Sequence, residues 1–212
     1  VSARLGLVTV VFVLAAAIPM GILAALKNGK WQDMLLMALA TIGVTIPSFV
    51  IASLLVYVFS YMLNWLPTFG LDSWQGYILP VIALGGYSVS YIARLMRSSL
   101  LEVMGQDYIR TARAKGLTEF AVVAKHALRN ALIPVVTVLG PTIAGLLTGS
   151  FVIERIFAIP GLGFYFVNSV SQRDYTTIMG MTIFYAAFLM AMVLLVDIFY
   201  CLIDPRIKFE NN

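Results

Sequence analysis

YIRTARAKGL, residues 108–117, is the stretch around which this otherwise apolar chain is organised. It lies within a basic segment, Ala93–Ala131, that carries ten charged residues, seven of them basic. Elsewhere charge is scarce, since 61% of the 212 residues are hydrophobic and 11% are charged, against roughly 25% in an ordinary soluble domain. The composition therefore predicts an integral membrane protein.

Five uncharged stretches are long enough to cross a bilayer, which takes about 20 apolar residues. They predict spans near residues 5–26, 34–63, 76–97, 131–153 and 177–203. The second stretch continues to Leu71, but its last part has turn composition around Pro67, so we end the span near Leu63. The run Ile156–Gln172 is broken by Pro160 and two glycines, and we expect a loop or re-entrant piece there. The whole chain, 1–212, is expected to be one all-α transmembrane bundle and a single domain.

The basic residues predict how this bundle is oriented. With five spans, eleven basic residues fall on one side: the seven of the basic segment with Lys27, Lys30, Arg206 and Lys208. Only three fall on the other side: Arg4, Arg155 and Arg173. The positive-inside rule places the basic segment and the C-terminus in the cytoplasm, and Trp65, Trp74 and Tyr77 suit the outer interface. Val1 would then begin outside with no segment to place it there, so we expect at least one earlier span.

Residues that could carry chemistry are few. The sequence has no motif for a catalytic nucleophile, a metal site or a phosphate-binding loop, so we expect no catalytic residues and no metal site. His126 is the only histidine, and we expect it to be a surface or interface residue. Cys201 is the only cysteine, which excludes an internal disulfide. Asp197 is the only acidic residue in the last apolar run, where we expect it to cap or pair near the cytoplasmic boundary. An ion-coupled transporter usually has more buried ionisable residues than this.

Residue order within the basic segment predicts a helix, a glycine turn and a second helix. Asp107 is the expected N-cap of a helix over 108–115, and Gly116 suits the left-handed residue that ends it. Thr118 is expected to cap the second helix, Glu119–Asn130. The first helix is too short to be stable alone, so it needs a partner surface. Ala112, Ala114 and Gly116 would allow close approach, Tyr108, Ile109 and Leu117 would be apolar anchors, and Arg110, Arg113 and Lys115 would surround them. A basic loop on anionic lipid is the alternative.

Three separated motifs resemble one transporter family. YIRTARAKGL with HALRNALIP, 126–134, is similar to the cytoplasmic signature loop of permease subunits of binding-protein-dependent ATP-binding-cassette (ABC) importers. VIERIFAIPGLG, 152–163, with RDY, 173–175, and DIFY, 197–200, with DPR, 204–206, resemble the dipeptide and oligopeptide branch, B-type subunit. The broader family has Glu-Ala-Ala where this chain has Arg110, Thr111 and Ala112, which agrees with the peptide branch.

This resemblance implies a fold, a mechanism and a set of partners. The fold would be the type I ABC importer permease fold without the family's first helix. Residues 98–130 would form a cytoplasmic coupling segment, in which Tyr108 and residues 110–117 contact an ATPase. The implied partners are a second, homologous permease subunit, two cytoplasmic ATPase subunits that hold ATP and magnesium, an extracytoplasmic binding protein and the lipid bilayer. We expect no cofactor on this chain, no nucleic-acid partner and a location in the inner membrane of a bacterium or archaeon. Peptide is the expected cargo, with nickel chelates or glutathione, or an ion-coupled secondary transporter, as alternatives.

The resemblance also implies an external loop over residues 154–176. An outer gate or contact with the binding protein is expected at Glu154, Phe157, Pro160, Gly161, Gly163, Arg173, Asp174 and Tyr175. Pro160 to Gly163 would form a tight turn at the membrane surface. A loop that merely caps the bundle is the alternative.

Overall fold

The computed structural model describes the chain over residues 1–203, with side chains described to residue 195 and at Ile198. The expectations for Asp197, Cys201 and residues 204–208 fall outside the described backbone or side chains. Ten α-helices lie in the described part, and no strand is found there. The prediction of an all-α chain is confirmed.

The helices begin and end at the following residues. They are α1 (Ser2–Leu26), α2 (Trp31–Thr45), α3 (Ser48–Leu55), α4 (Gln75–Met104), α5 (Asp107–Ala114), α6 (Glu119–Ala121), α7 (Leu128–Thr148), α8 (Phe151–Ile156), α9 (Leu162–Gln172) and α10 (Tyr175–Ile203). Two π-helical segments extend α3 and α6: Val56–Met62 and Val122–Ala127.

By length and composition, four helical segments of the described chain could cross a membrane: Ser2–Leu26, Gln75–Met104, Glu119–Ile156 and Tyr175–Leu195. A fifth would be α2 together with α3 and its π-helical extension, but these are bent by 106° at their junction. The bend falls at Ile46 and Pro47, because proline holds the residue before it in extended backbone, and Ile46 has φ −84° and ψ 126°. The span expected over residues 34–63 is therefore broken in its middle. The five span boundaries and the single domain stay predictions.

The chain divides into two compact units. In the first, formed by Val1–Val10, Ser48–Leu84 and the chain from Leu139 onward, α8 and α9 pack as a helical pair. The Phe151 ring of α8 stacks on Phe166 of α9 with 4.7 Å between centroids, and Phe157 between the two helices is buried. The run expected as a loop or re-entrant piece is therefore mostly helical.

The second unit comprises Val11–Pro47 and Gly85–Val138. Its core includes one face of α4, where Ile92, Met96 and Leu100 recur four residues apart and are fully buried. A Cβ atom on Gly21 of α1 would lie 2.6 Å from the carbonyl oxygen of Ala93, so glycine is needed for α1 to lie this close to α4.

Candidate functional sites

The short helix α5 begins one residue earlier than a cap at Asp107 would require. Gln106 has extended backbone, φ −73° and ψ 151°, and is the N-cap, while Asp107 is the first helical residue. The predicted N-cap at Asp107 is thus wrong by one position. An aspartate in the first turn and Arg113 in the last still match the partial charges at the two helix ends.

The glycine turn after α5 forms as predicted. Gly116 has φ +78°, and its N–H donates to the carbonyl of Arg113 at 2.9 Å. Thr118 is the next N-cap, and its hydroxyl accepts from the Ala121 N–H at 3.4 Å. The second helix does not end at Asn130, because the backbone runs from α6 through the π-helical segment into α7 as far as Thr148. A movement of the turn would therefore act on a long helix directly.

One face of α5 packs on its own chain. Ile109 is 0% exposed and Ala112, three residues later on the same face, is 6% exposed, with the π-helical segment Val122–Ala127 beside them. This burial corrects two expectations, since the side chains of Ile109 and Ala112 are occupied within the chain and are not free for a partner. The partner surface that a helix of this length needs is supplied by the chain itself. Of the residues predicted to contact an ATPase, the exposed ones are Tyr108, Arg110, Thr111, Arg113, Ala114, Lys115, Gly116 and Leu117.

Two side-chain contacts hold the turn and the helix start. The Arg113 guanidinium donates to both carboxylate oxygens of Glu119, Nη2 to Oε1 at 2.7 Å and Nε to Oε2 at 3.1 Å, and this hydrogen-bonded pairing raises the pKa of Arg113. Asn130 Nδ2 donates to Tyr108 Oη at 2.7 Å. Arg110 is 3.6 Å from Asp107, and both are so exposed that the pair contributes little. Arg110 and Lys115 are consequently the basic side chains best placed for a partner.

Sequence reasoning missed Phe120, whose side chain is 82% exposed one turn beyond Gly116. The available signal was the position of this large apolar residue among the polar residues Thr118, Glu119 and Lys125. An amphipathic helix normally keeps such a residue on its buried face, so an aromatic ring among polar neighbours stands out. Together with half-exposed Tyr108 and Leu117, Phe120 gives this segment exposed apolar side chains near the exposed basic side chains of Arg110 and Lys115.

A second missed feature is an ion pair between Arg97 and Asp33, next to the predicted coupling segment, 98–130. Arg97 donates to both oxygens of the buried Asp33 carboxylate, Nε to Oδ1 at 2.6 Å and Nη2 to Oδ2 at 2.7 Å. Arg97 Nη2 also donates to Asn28 Oδ1 at 2.9 Å, and the Gly29 N–H donates to Asp33 Oδ2 at 3.0 Å. The loop between α1 and α2 is thereby attached to the part of α4 that leads into α5.

In the segment expected to be external, residues 154–176, the Glu154 side chain caps the start of α9. Its Oε2 accepts from the N–H groups of Gly163 at 2.8 Å and Phe164 at 3.2 Å, while Ser2 Oγ accepts from the Leu162 N–H at 2.9 Å. A carboxylate is favoured here because a helix N-terminus has unpaired N–H groups and partial positive charge. A Cβ atom on Gly163 would lie 2.9 Å from this Oε2, so glycine makes room for the carboxylate.

The expected external-loop residues separate into a buried and an exposed set. The buried set is Glu154, Phe157, Gly161 and Gly163, and the exposed set is Pro160, Arg173, Asp174 and Tyr175. Gly161 is the N-cap of α9, so the tight turn predicted over Pro160 to Gly163 ends at Gly161, whose N–H donates to Ile159 O at 2.7 Å. Asp174 accepts from the hydroxyl and N–H of Thr177, and these hydrogen bonds lower the pKa of Asp174.

No group of three or more histidine, cysteine, aspartate or glutamate side chains lies together among the described residues. His126 is half-buried in the π-helical segment.

Comparison with known proteins gives concordant matches. The family described as "Binding-protein-dependent transport system inner membrane component" matches residues 17–209. The chain is 50% identical over 212 residues to the dipeptide transport system permease protein DppB of Bacillus subtilis (strain 168), covering all of this chain and 69% of the relative. It is 45% identical over 201 residues to the glutathione transport system permease protein GsiC of Escherichia coli (strain K12), covering 95% of this chain and 64% of the relative.

Two solved structures share the fold. A chain of the MetNI methionine ABC transporter in an inward-facing conformation aligns with a TM-score of 0.69 and 20% identity, over 92% of this chain and 91% of that one. A chain of an amino acid ABC transporter aligns with a TM-score of 0.69 and 18% identity, over 93% and 88%. These likenesses confirm the expected type I permease fold.

Proposed function

Because the chain belongs to the family of binding-protein-dependent transport system inner membrane components, we propose that it is the permease subunit of an ATP-driven importer for short peptides. The chain spans about two thirds of the length of its curated relatives, 69% and 64%, so the activity proposed is that of the whole protein. Glutathione, itself a tripeptide, is the second cargo, since the relative with 45% identity is named for it.

The observation that carries the proposal is the structure of the coupling segment. It presents Lys115, Leu117 and Phe120 on a helix and turn that are already held in place by buried Ile109 and by the Arg113–Glu119 pair. An exposed apolar and basic surface on a fixed support suits docking to a protein, and the continuous backbone into α7 would carry a movement into the membrane.

The partners follow from this arrangement. We propose that two cytoplasmic ATPase subunits bind the coupling segment and hold ATP and magnesium, while this chain catalyses no reaction. A second permease subunit would complete the path, in the inner membrane, with the C-terminus in the cytoplasm. On the outer side, the exposed residues Pro160, Arg173, Asp174 and Tyr175 would contact the binding protein, and buried Glu154, Phe157, Gly161 and Gly163 would support them.

The test is reconstitution of the full-length permease with its ATPase and second permease subunits and its binding protein in liposomes. Leu117→Asp is expected to remove peptide uptake and peptide-stimulated ATP hydrolysis without lowering the amount of permease in the membrane. Lys30→Glu, an exposed cytoplasmic change outside the coupling segment, is the matched control and should keep both. Uptake that follows an ion gradient in the absence of ATP would contradict the proposal and favour a secondary transporter.

The outer contact is tested separately. A photo-crosslinker at Arg173 is expected to label the binding protein, while one at buried Phe157 is not. Labelling from neither position would favour a loop that only caps the bundle.

A further inference from the structure

Helix α4 carries a polar stripe in the half of the bilayer that leads to the cytoplasm. Tyr87, Tyr91, Arg94 and Ser98 are the exposed residues of α4 between Gly85 and Leu100. Their spacing of 4, 3 and 4 residues places them within an arc of about 60° on one side of the helix. The rest of this part of α4 is buried or half-buried. The exposed side thus carries two phenol hydroxyls, a guanidinium and a serine hydroxyl, while Ser88, Ser90 and Ser99 are buried elsewhere on the helix.

The depth of the stripe follows from the Arg97–Asp33 pair. This pair joins α4 to the loop between α1 and α2, so it marks the cytoplasmic end of the span. At 1.5 Å per residue, Tyr87 lies about 15 Å from Arg97, near the middle of a hydrocarbon core of about 30 Å. Arg94 lies about one turn inside the boundary. The stripe therefore extends from mid-membrane to the cytoplasmic surface.

Three of the four polar groups of the stripe have no partner among the described residues, whereas the Ser98 hydroxyl donates to the carbonyl oxygen of Leu95 at 2.9 Å. The hydroxyls of Tyr87 and Tyr91 and the guanidinium of Arg94 make no hydrogen bond or ion pair with any residue in the described part of the chain. The two tyrosine rings stack with centroids 6.2 Å apart and an interplanar angle of 3°, and they are 54% and 42% exposed.

A lipid environment does not suit this stripe. An arginine inside the membrane is costly in hydrocarbon, and ionisable residues within spans face the bundle interior or a water-filled cavity. A peptide, by contrast, has a terminal carboxylate that a guanidinium binds with two parallel hydrogen bonds, and amides and side chains that pack on aromatic rings.

We propose that Tyr87, Tyr91, Arg94 and Ser98 line the cytoplasmic half of the translocation path, and that Arg94 binds the terminal carboxylate of the peptide as it leaves. This inference rests on the proposed function. It adds which side of α4 the peptide passes, and that the Arg94 guanidinium is the group that binds the peptide there.

The first experiment measures access to water. Single cysteines replace Tyr87, Tyr91, Arg94 and Ser98 in a cysteine-free, full-length permease assembled with its partners in inside-out membrane vesicles. A charged, membrane-impermeant thiol reagent is expected to label all four, and to label Y87C and Y91C more slowly when the ATPase is trapped by vanadate. Val89 and Ile92, which face away from the stripe, supply the control variants and should stay unlabelled.

The outcomes separate this inference from the proposed function. Labelling of Y87C and Y91C only by a lipid-soluble reagent would show that the stripe faces lipid, which overturns the inference while ATP-driven uptake stays intact. Labelling by the charged reagent with no ATP-driven uptake would keep a water-filled path and overturn the proposed importer.

The second experiment tests Arg94 with a dipeptide that has a free carboxylate and with its C-terminal amide. Arg94→Gln is expected to lower uptake of the free dipeptide about tenfold relative to the amide, the size of effect of one lost charged hydrogen-bond pair. Arg94→Lys should keep most of the preference because the charge remains. If Arg94→Gln slows both peptides equally, or if Arg94 instead binds lipid phosphate so that uptake changes only with anionic lipid content, the carboxylate site is excluded.

Discussion

Removing the guanidinium of Arg97 should destabilise the end of α4 that leads into α5 more than any exposed charge change in this region. In Arg97→Met the side chain keeps its length, but Asp33, which is buried, is left with the Gly29 N–H as its hydrogen-bond donor among the described residues. Breaking a buried ion pair costs about 3–5 kcal/mol, and Arg97 itself is 25% exposed, so we expect about 3 kcal/mol. For a chain of this size that corresponds to a decrease in melting temperature of about 6–12 °C.

The assay is thermal unfolding of the full-length permease in lipid nanodiscs, followed by intrinsic fluorescence. Arg129→Met, at an exposed position in α7, is the matched control and should change the melting temperature little. Asp33→Asn combined with Arg97→Met should lose less than the two single changes added together, because the double variant no longer buries an unpaired charge. Equal effects of the Arg97 and Arg129 changes, or simple additivity in the double variant, would refute the reasoning.

Three further predictions concern local contacts. Glu154→Ala should lower the melting temperature more than Glu154→Gln, by the equivalent of about 2 kcal/mol, because glutamine can still accept from the first N–H groups of α9; equal losses would contradict a capping role. Gly116→Ala should cost about 1 kcal/mol, since φ is +78°, and should speed amide hydrogen exchange in α5, with Gly29→Ala in a separate turn leaving α5 unchanged. Thr118→Ala should cost about 0.5–1 kcal/mol and speed exchange at the Ala121 amide, whereas Thr118→Ser should not.

The sequence was most informative where a local pattern determines local structure. The left-handed Gly116 and the capping Thr118 follow from backbone and side-chain preferences within a few residues, and both are found. The 106° bend at Pro47 was marked by its proline, but the angle depends on packing that periodicity does not encode.

Contacts between distant residues could not be predicted. Asp33 and Arg97 are 64 positions apart, and each looked like an ordinary charge at the end of an apolar run. Glu154 resembled an exposed loop residue, yet it is 0% exposed because it accepts hydrogen bonds from a helix that the interrupted apolar run did not predict. The burial of Ile109 and Ala112 likewise depends on where α5 folds back onto the chain.

The packing of α5 on its own chain has a consequence for assembly. A segment that is ordered before it meets its partner loses little conformational entropy on docking, so complementary shape contributes almost fully to affinity. Such a surface also has little ability to adapt to an ill-fitting groove. The proposed ATPase contact would therefore accept a different ATPase subunit only where its surface matches Leu117 and Phe120, and chimeric transporters would fail in assembly before they fail in transport.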